Sequence, residues 1–285
     1  MRLFTALLAF LSILLAATSG AAQTSEFGTP GMGGIQTQFD WLTLQAMDIE
    51  SRAKKDQQAQ QQQKLVDSGM LSVLDLKAPV KAVHEFNKGV EAMKKDDAKT
   101  AIAAFSKAIT IYPQFVSAHN SLGTAYSSVG QQQQARTEYE TAISMDNKFA
   151  ASYFNLGRVT MLQHDFESAE KALDKGSSLE PNANTLTALA YAQFGNQNYS
   201  GAIQTAERVH GMEHKPNAAV HYVAASSYIA MHRYDQAEEE FKLLLAEDSV
   251  NPLSPLAKQD IDLIERHKKS AAHQAANRTE RSSRQ

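Results

Sequence analysis

Between residues 82 and 251 the small, aromatic and aliphatic positions return with one period. Gly89, Gly123, Gly157, Ala190 and Ala225 lie 34, 34, 33 and 35 residues apart, and Ala101, Ala135, Ala169, Ala202 and Ala237 keep the same intervals. Phe105, Tyr139, Leu173, Ala206 and Phe241 each follow their alanine by four residues. Two columns that share one period mark internal repetition.

Inside a unit the spacing is helical. Leu122, Gly123 and Tyr126 fall at i, i+1 and i+4, and after a polar turn Ala135, Tyr139 and Ala142 fall at i, i+4 and i+7. These spacings put each set on one face of a helix, the two faces opposed. Gly123 and Ala135 are small where two backbones approach, and the aromatic fills the space beside them. A single pair of this size cannot bury enough apolar surface alone, so the units must stack. The pattern predicts an all-α solenoid of about five helix pairs, with repeats at about 82–115, 116–149, 150–183, 183–217 and 218–251.

The flanks read differently. Residues 1–22 carry one basic residue, Arg2, then an apolar run from Leu3 to Ala17 and a small-residue site at Gly20-Ala21-Ala22. Fifteen helical residues reach about 22 Å, short of a ~30 Å hydrocarbon core, so the segment reads as a cleaved export signal. The alternative is an uncleaved anchor in the inner membrane. Residues 23–38 are Gly-rich and read as linker. Over 39–66, Phe39, Leu42, Ala46, Ile49 and Ala53 form a helical stripe that dissolves in the run Gln57 to Gln63. Residues 67–81 have the character of an extended connector, with Pro79 placed to open a helix. After the repeats, 252–269 suit a capping helix, with Ser254 as N-cap, Pro255 in the first turn, and Leu256, Ile261, Leu263 and Ile264 available to cover the last repeat. The basic, polar stretch 270–285 is expected to be disordered.

The repeat unit resembles the tetratricopeptide repeat. Repeat three reads "YFNLG…SAEKAL…LEP" and supplies Tyr153, Leu156, Gly157, Ala169 and Pro181. Repeat two supplies Leu122, Gly123, Tyr126, Ala135, Tyr139 and Ala142, with Asn147 where proline is usual, and repeat one supplies Gly89, Ala101, Phe105, Ala108 and Pro113. Repeat five has Tyr228, Ala237 and Phe241 but Ala224-Ala225 in place of Leu-Gly. Repeat four departs most: it keeps Leu189-Ala190 and Ala202, lacks the second-helix aromatic, and ends in an irregular "HGMEHKP".

The resemblance implies a right-handed superhelix that binds a peptide or protein on a concave face lined by the first helices. Carried over position by position, the implied lining is Phe86, Asn87, Val90 and Lys94, then Asn120, Ser121, Thr124 and Ser127. Phe154, Asn155, Arg158 and Met161 follow, then Tyr191 and Phe194, then Tyr222, Val223 and Ile229. The amides of Asn87 and Asn155 are of the type that pairs with an extended backbone. The lining lacks the Lys and Arg array that clamps carboxyl tails, and its aromatics and Met suit a moderately apolar segment.

Composition adds little pull of its own. The net charge of −3 and the absence of a basic stripe argue against nucleic acid, and a chain without cysteine, if exported, relies on its core alone. No phosphate loop, serine elbow or zinc-protease motif is present. His164, Asp165, Glu167 and Glu170 crowd one short stretch, yet in repeat phase they occupy a turn that elsewhere reads Asp-Asp-Ala, Gly-Gln-Gln, Gln-Asn-Tyr or His-Arg-Tyr. That interchange points to a turn and an N-cap at Asp165 rather than to catalysis. His210 and His214 have a zinc-chelating i, i+4 spacing near His221, but Gly211 and Pro216 interrupt the helix, and no metal or other cofactor is expected. The reading is a non-catalytic interaction scaffold, periplasmic or secreted, with no stable membrane insertion after cleavage. The alternative is self-association into a homo-oligomer through the 39–66 helix, and a metal-dependent enzyme using the histidines ranks third.

Overall fold

The computed structural model describes residues 60, 63–64, 71–212, 217–247 and 251–283, all within one compact unit spanning Gln58–Gln285. The expected signal at 1–22, the linker at 23–38 and nearly all of the 39–66 segment lie outside the described residues, as does His214. A short 3₁₀ turn, Val73–Lys77, leads into α1 Val80–Lys94, α2 Ala98–Ile111, α3 Val116–Ser128, α4 Gln132–Met145, α5 Ala150–Leu162 and α6 Phe166–Leu179. They are followed by α7 Ala183–Gly195, α8 Tyr199–His210, α9 Ala218–Ala230, α10 Tyr234–Glu247 and α11 Ser254–Ser283. Among the described residues there is no strand.

The helices pack as five sequential pairs, and the second helix of each pair packs on the first helix of the next. First helices also touch one another in order, α1 on α3, α3 on α5, α5 on α7 and α7 on α9, so they build one continuous face. Within each pair a helix of small residues receives a wedge. Ala101, Ala135, Ala169, Ala202 and Ala237 are completely buried, as are Leu173 and Phe241, with Phe105 and Tyr139 nearly so and Tyr126 half-buried beside them. A Cβ on Gly89 would meet the Phe105 ring at 2.5 Å, one on Gly123 the Tyr139 ring at 2.7 Å, and one on Gly157 the Leu173 Cγ at 2.4 Å. Glycine holds these positions because the wedge occupies the space of a side chain.

The turns inside the pairs share one backbone solution. Asp96, Gly130, His164, Gln197 and His232 all lie in the left-handed region, with φ of 57°, 78°, 59°, 61° and 58°. One such residue reverses the chain before the next N-cap. Asp97, Asp165 and Asn198 then accept the amide three residues on, satisfying a donor the helix leaves unpaired.

Two flanking expectations change. The 67–81 connector is not extended throughout. Ser72 and Asp75 form a capping box around the 3₁₀ turn, and the buried Asp75 carboxylate accepts the Val116 amide at 2.8 Å and the Ser117 amide at 3.0 Å. Ser72 Oγ also donates to Asp146, so the turn is clipped to repeat two. Burial pushes the Asp75 carboxyl up, against the bonds from Ser117, Val116 and Ser72. At the other end the helix does not stop at 269 but runs to Ser283, because "AAHQAANRTER" holds good helix formers and neither Gly nor Pro. Ala257 and Ile264 bury against repeat five, Ile261 does so in part, and Leu256 and Leu263 remain exposed rather than covering it. No described helix is long and apolar enough to cross a membrane.

Candidate functional site

The first-helix face carries a cavity of about 570 Å³ where repeats three, four and five meet. Helix α5 contributes Phe154, Arg158 and Met161, the start of α6 gives Phe166, α7 gives Asn184, Thr187, Ala188 and Tyr191, and Asn217 and Ala219 close it at the start of α9. The 3.6-residue period places Phe154, Arg158 and Met161 on one face of α5, and Thr187, Ala188 and Tyr191 on one face of α7. The walls are therefore aromatic and thioether, with a cation and amides at the rim.

Arg158 stands over the Phe154 ring, its guanidinium carbon 5.7 Å from the centroid. It is exposed and, among the described residues, makes no ion pair. Burial pushes the Tyr191 phenol up, so it remains a neutral donor. Asn217 caps α9 and donates to Thr187 Oγ1 at 2.7 Å, which joins two lining residues of different helices.

Four residues of the implied lining thus meet in the cavity: Phe154, Arg158, Met161 and Tyr191. The others are placed differently. Phe86 is 5% exposed, its ring tilted against those of Phe105 and Phe115 at 5.6 and 5.0 Å, and is a core residue rather than a lining one. Asn87 and Lys94 are exposed on α1, and Lys94 pairs with Glu91 at 2.7 Å. Asn155 donates to Asn120 Oδ1 at 3.1 Å and Thr124 accepts from the Tyr139 hydroxyl at 3.2 Å, so these polar groups knit neighbouring helices together. Phe194 packs on Tyr199 at 5.7 Å. Tyr222 packs on Phe241 at 5.6 Å and donates to Asp260 of α11 at 3.3 Å.

Thr187, Ala188 and Asn217 escaped the sequence reading although a signal existed. Thr187 stands in the column of Asn120 and Phe154, Ala188 in the column of Asn155, and Asn217 is an N-cap residue just before an apolar helix.

The crowded stretch in repeat three is absorbed by the scaffold. His164 is the left-handed turn residue and meets the Phe166 ring edge-on at 5.9 Å. Asp165 caps α6 and pairs with Arg136 of repeat two at 2.9 Å, and these bonds hold its carboxyl below the usual range. Glu167 pairs with Lys171, and Glu170 accepts from the Asn196 and Asn198 amides at 2.7 Å each.

Two tetratricopeptide repeat models match residues 86–115 and 104–137, and a model described as anaphase-promoting complex, cyclosome, subunit 3 matches residues 162–242. No curated protein sequence matches the chain. Among solved structures it is similar to MamA 41-end from Desulfovibrio magneticus RS-1, with 14% identity over 61% of this chain and 99% of that one, and a TM-score of 0.56. It is also similar to YrrB, titled a TPR protein with an unusual peptide-binding site, with 16% identity over 62% and 92% of the two chains, and a TM-score of 0.57. A third likeness is to the APC/C hetero-tetramer Cut9–Hcn1, with 23% identity over 69% of this chain and 38% of that one, and a TM-score of 0.51. At these identities the likeness is one of fold.

Proposed function

We propose that this chain, a tetratricopeptide-repeat protein, is a non-catalytic scaffold that holds an extended polypeptide in its concave face, at the cavity framed by α5, α7 and the start of α9. The observation that carries this is the joining of Phe154, Met161 and Tyr191 with Arg158, which makes no ion pair among the described residues, in one recess of the first-helix face. An apolar side chain fits the walls, and a carboxylate beside it on the same segment fits Arg158. The titled peptide-binding site of YrrB is in keeping with this use of the fold. The absence of catalysis is supported by the engagement of the residue 164–170 imidazole and carboxylates in turns, caps and ion pairs. The export signal read at residues 1–22 supports a location in the periplasm or outside the cell, and so a partner found there.

The test is selection of binders from a random peptide library, followed by fluorescence anisotropy. Selected peptides are expected to carry an aromatic or aliphatic residue near an acidic one, and to lose affinity about tenfold or more on Phe154→Ala or Arg158→Glu. Peptides that bind both variants as tightly as the unaltered protein would remove the cavity from the function.

A further inference from the structure

The joint between repeats four and five gathers three ligating side chains, His210, His221 and Glu240, with Glu247 at the far edge of the His221 ring. His210 ends α8 and His221 lies in α9, 3% exposed, their rings stacked with centroids 4.3 Å apart. From α10, Glu240 Oε2 approaches His221 Nδ1 at 2.8 Å, and Glu247 Oε1 approaches His221 Nε2 at 3.3 Å. Ligating atoms of His210, His221 and Glu240 all lie within 4.8 Å of one another. The spacing that sequence reading weighed, His210 with His214, gave no hint of this. Folding brings His210 to residues eleven and thirty positions away.

The repeats provide an internal comparison. His221 and Glu240 share columns with His119 and Glu138 of repeat two, where the ring meets Glu138 at 2.7 Å and its other nitrogen meets the Pro113 carbonyl at 3.0 Å. There the pair is a plain link between two helices. His210 lies eight residues after its column alanine, where the other repeats carry Ile109, Ile143, Ser177 and Leu245. Glu247 lies ten residues after its own, where the others carry Ile111, Met145, Leu179 and Met212. Ile109 and Met145 pack into apolar clusters, so the frame asks for uncharged residues at these two places. Repeats four and five alone put an imidazole and a second carboxylate there, on either side of His221. Setting polar groups against the buried His221 ring is costly unless they are matched by charge and hydrogen bonds.

With neutral imidazoles the four groups carry two negative charges, which a divalent cation cancels. Zinc takes His nitrogen at about 2.0–2.1 Å and carboxylate oxygen at about 2.0–2.2 Å in a tetrahedron, which sets donors roughly 3.4 Å apart. The donors of His210, His221 and Glu240 need to converge by up to about 1.4 Å from their 4.8 Å limit, a swing of the two rings out of their stack. Nitrogen donors favour zinc and its transition-metal neighbours over the oxygen-seeking Mg²⁺ and Ca²⁺. We propose that His210, His221 and Glu240 form a binding site for a divalent transition-metal ion of the zinc class, with water completing the shell, which ties repeat four to repeat five. The site draws on α8, α9 and α10 at the place where the repeat pattern is weakest.

The test is isothermal titration and native mass spectrometry of the purified chain with Zn²⁺, with thermal melts alongside. His210→Ile installs the residue that repeats one and two carry there, and Glu240→Gln keeps the size of its side chain, so circular dichroism should stay unchanged. One bound Zn²⁺ and a raised Tm are expected for the unaltered chain, with affinity at least about tenfold weaker in both variants and unchanged in His119→Asn. Cobalt substitution reads the ligands without any variant, and imidazole coordination in the Co²⁺ spectrum is expected. No stoichiometric binding, undiminished binding in either variant, or a Co²⁺ complex without imidazole would each overturn the proposal. So would a loss in His214→Ala with His210→Ile intact.

Discussion

Replacing Gly157 by alanine puts one methyl group where the fold has none to spare. The new Cβ would lie 2.4 Å from Leu173 Cγ and 2.9 Å from each Leu173 Cδ, against an ordinary carbon contact of roughly 3.5–4.0 Å. Leu173 is fully buried between α5, α6 and the next repeat, so it has no open side toward which to retreat. Overpacking of this kind costs about 1–3 kcal/mol. Alanine returns about 0.5–1 kcal/mol as the better helix former. The balance is a loss of up to about 2.5 kcal/mol, which for a domain of this size lowers Tm by up to roughly 10 °C. Leu173→Ala alone should cost about 2–5 kcal/mol through the cavity it leaves. Because the added methyl then enters that cavity, the double variant should lose about 1–2 kcal/mol less than the sum of the singles. Urea unfolding of the four proteins closes the cycle. Additivity within about 0.3 kcal/mol, or a Gly157→Ala protein that melts above the unaltered one, would refute the close approach of α5 and α6 at this point.

Other consequences are smaller but equally open to measurement. His164 occupies a left-handed turn that glycine adopts freely, so His164→Gly should melt at or above the unaltered protein and leave peptide binding unchanged. Burial works to lower the His119 pKa, but Glu138 and the Pro113 carbonyl together hold it above the ordinary imidazole value. The stability this gives is complete below that ordinary value and is lost as pH rises through the raised one, so denaturation midpoints should fall across that window and His119→Gln should flatten the fall. Glu238 is held down to about 2 by Lys242 and Lys268. Its contribution is present above the ordinary carboxylate pKa and is lost as pH falls toward 2, so the acid midpoint of Glu238→Gln should be less sensitive to pH in that range.

The fold was legible because its information is periodic. The glycine, alanine and aromatic columns are a local pattern repeated, and each repeat confirms the spacing of the others, so the pairing of helices followed from sequence alone. Contacts that break the period were not legible. Phe86 sits at a lining position of the resemblance but turns into the core with Phe105 and Phe115. The Ser72–Asp75 clip reads as a capping box only in hindsight, because its partners at Val116 and Ser117 lie more than forty residues away. Polar runs such as 270–285 carry no apolar stripe, and there helix propensity, which the composition did contain, was the better guide. The grouping of His210 with His221 and Glu240 depends on how repeat four stacks on repeat five, the joint where the pattern is least regular.

The central claim, that the recess between repeats three and five receives a polypeptide, is tested most directly by photocrosslinking with a peptide selected as described above. Benzoylphenylalanine at Tyr191, in the cavity wall, should crosslink that peptide, and the same group at the exposed Lys175 on α6 should not. Crosslinking at Lys175 with none at Tyr191 would contradict the account.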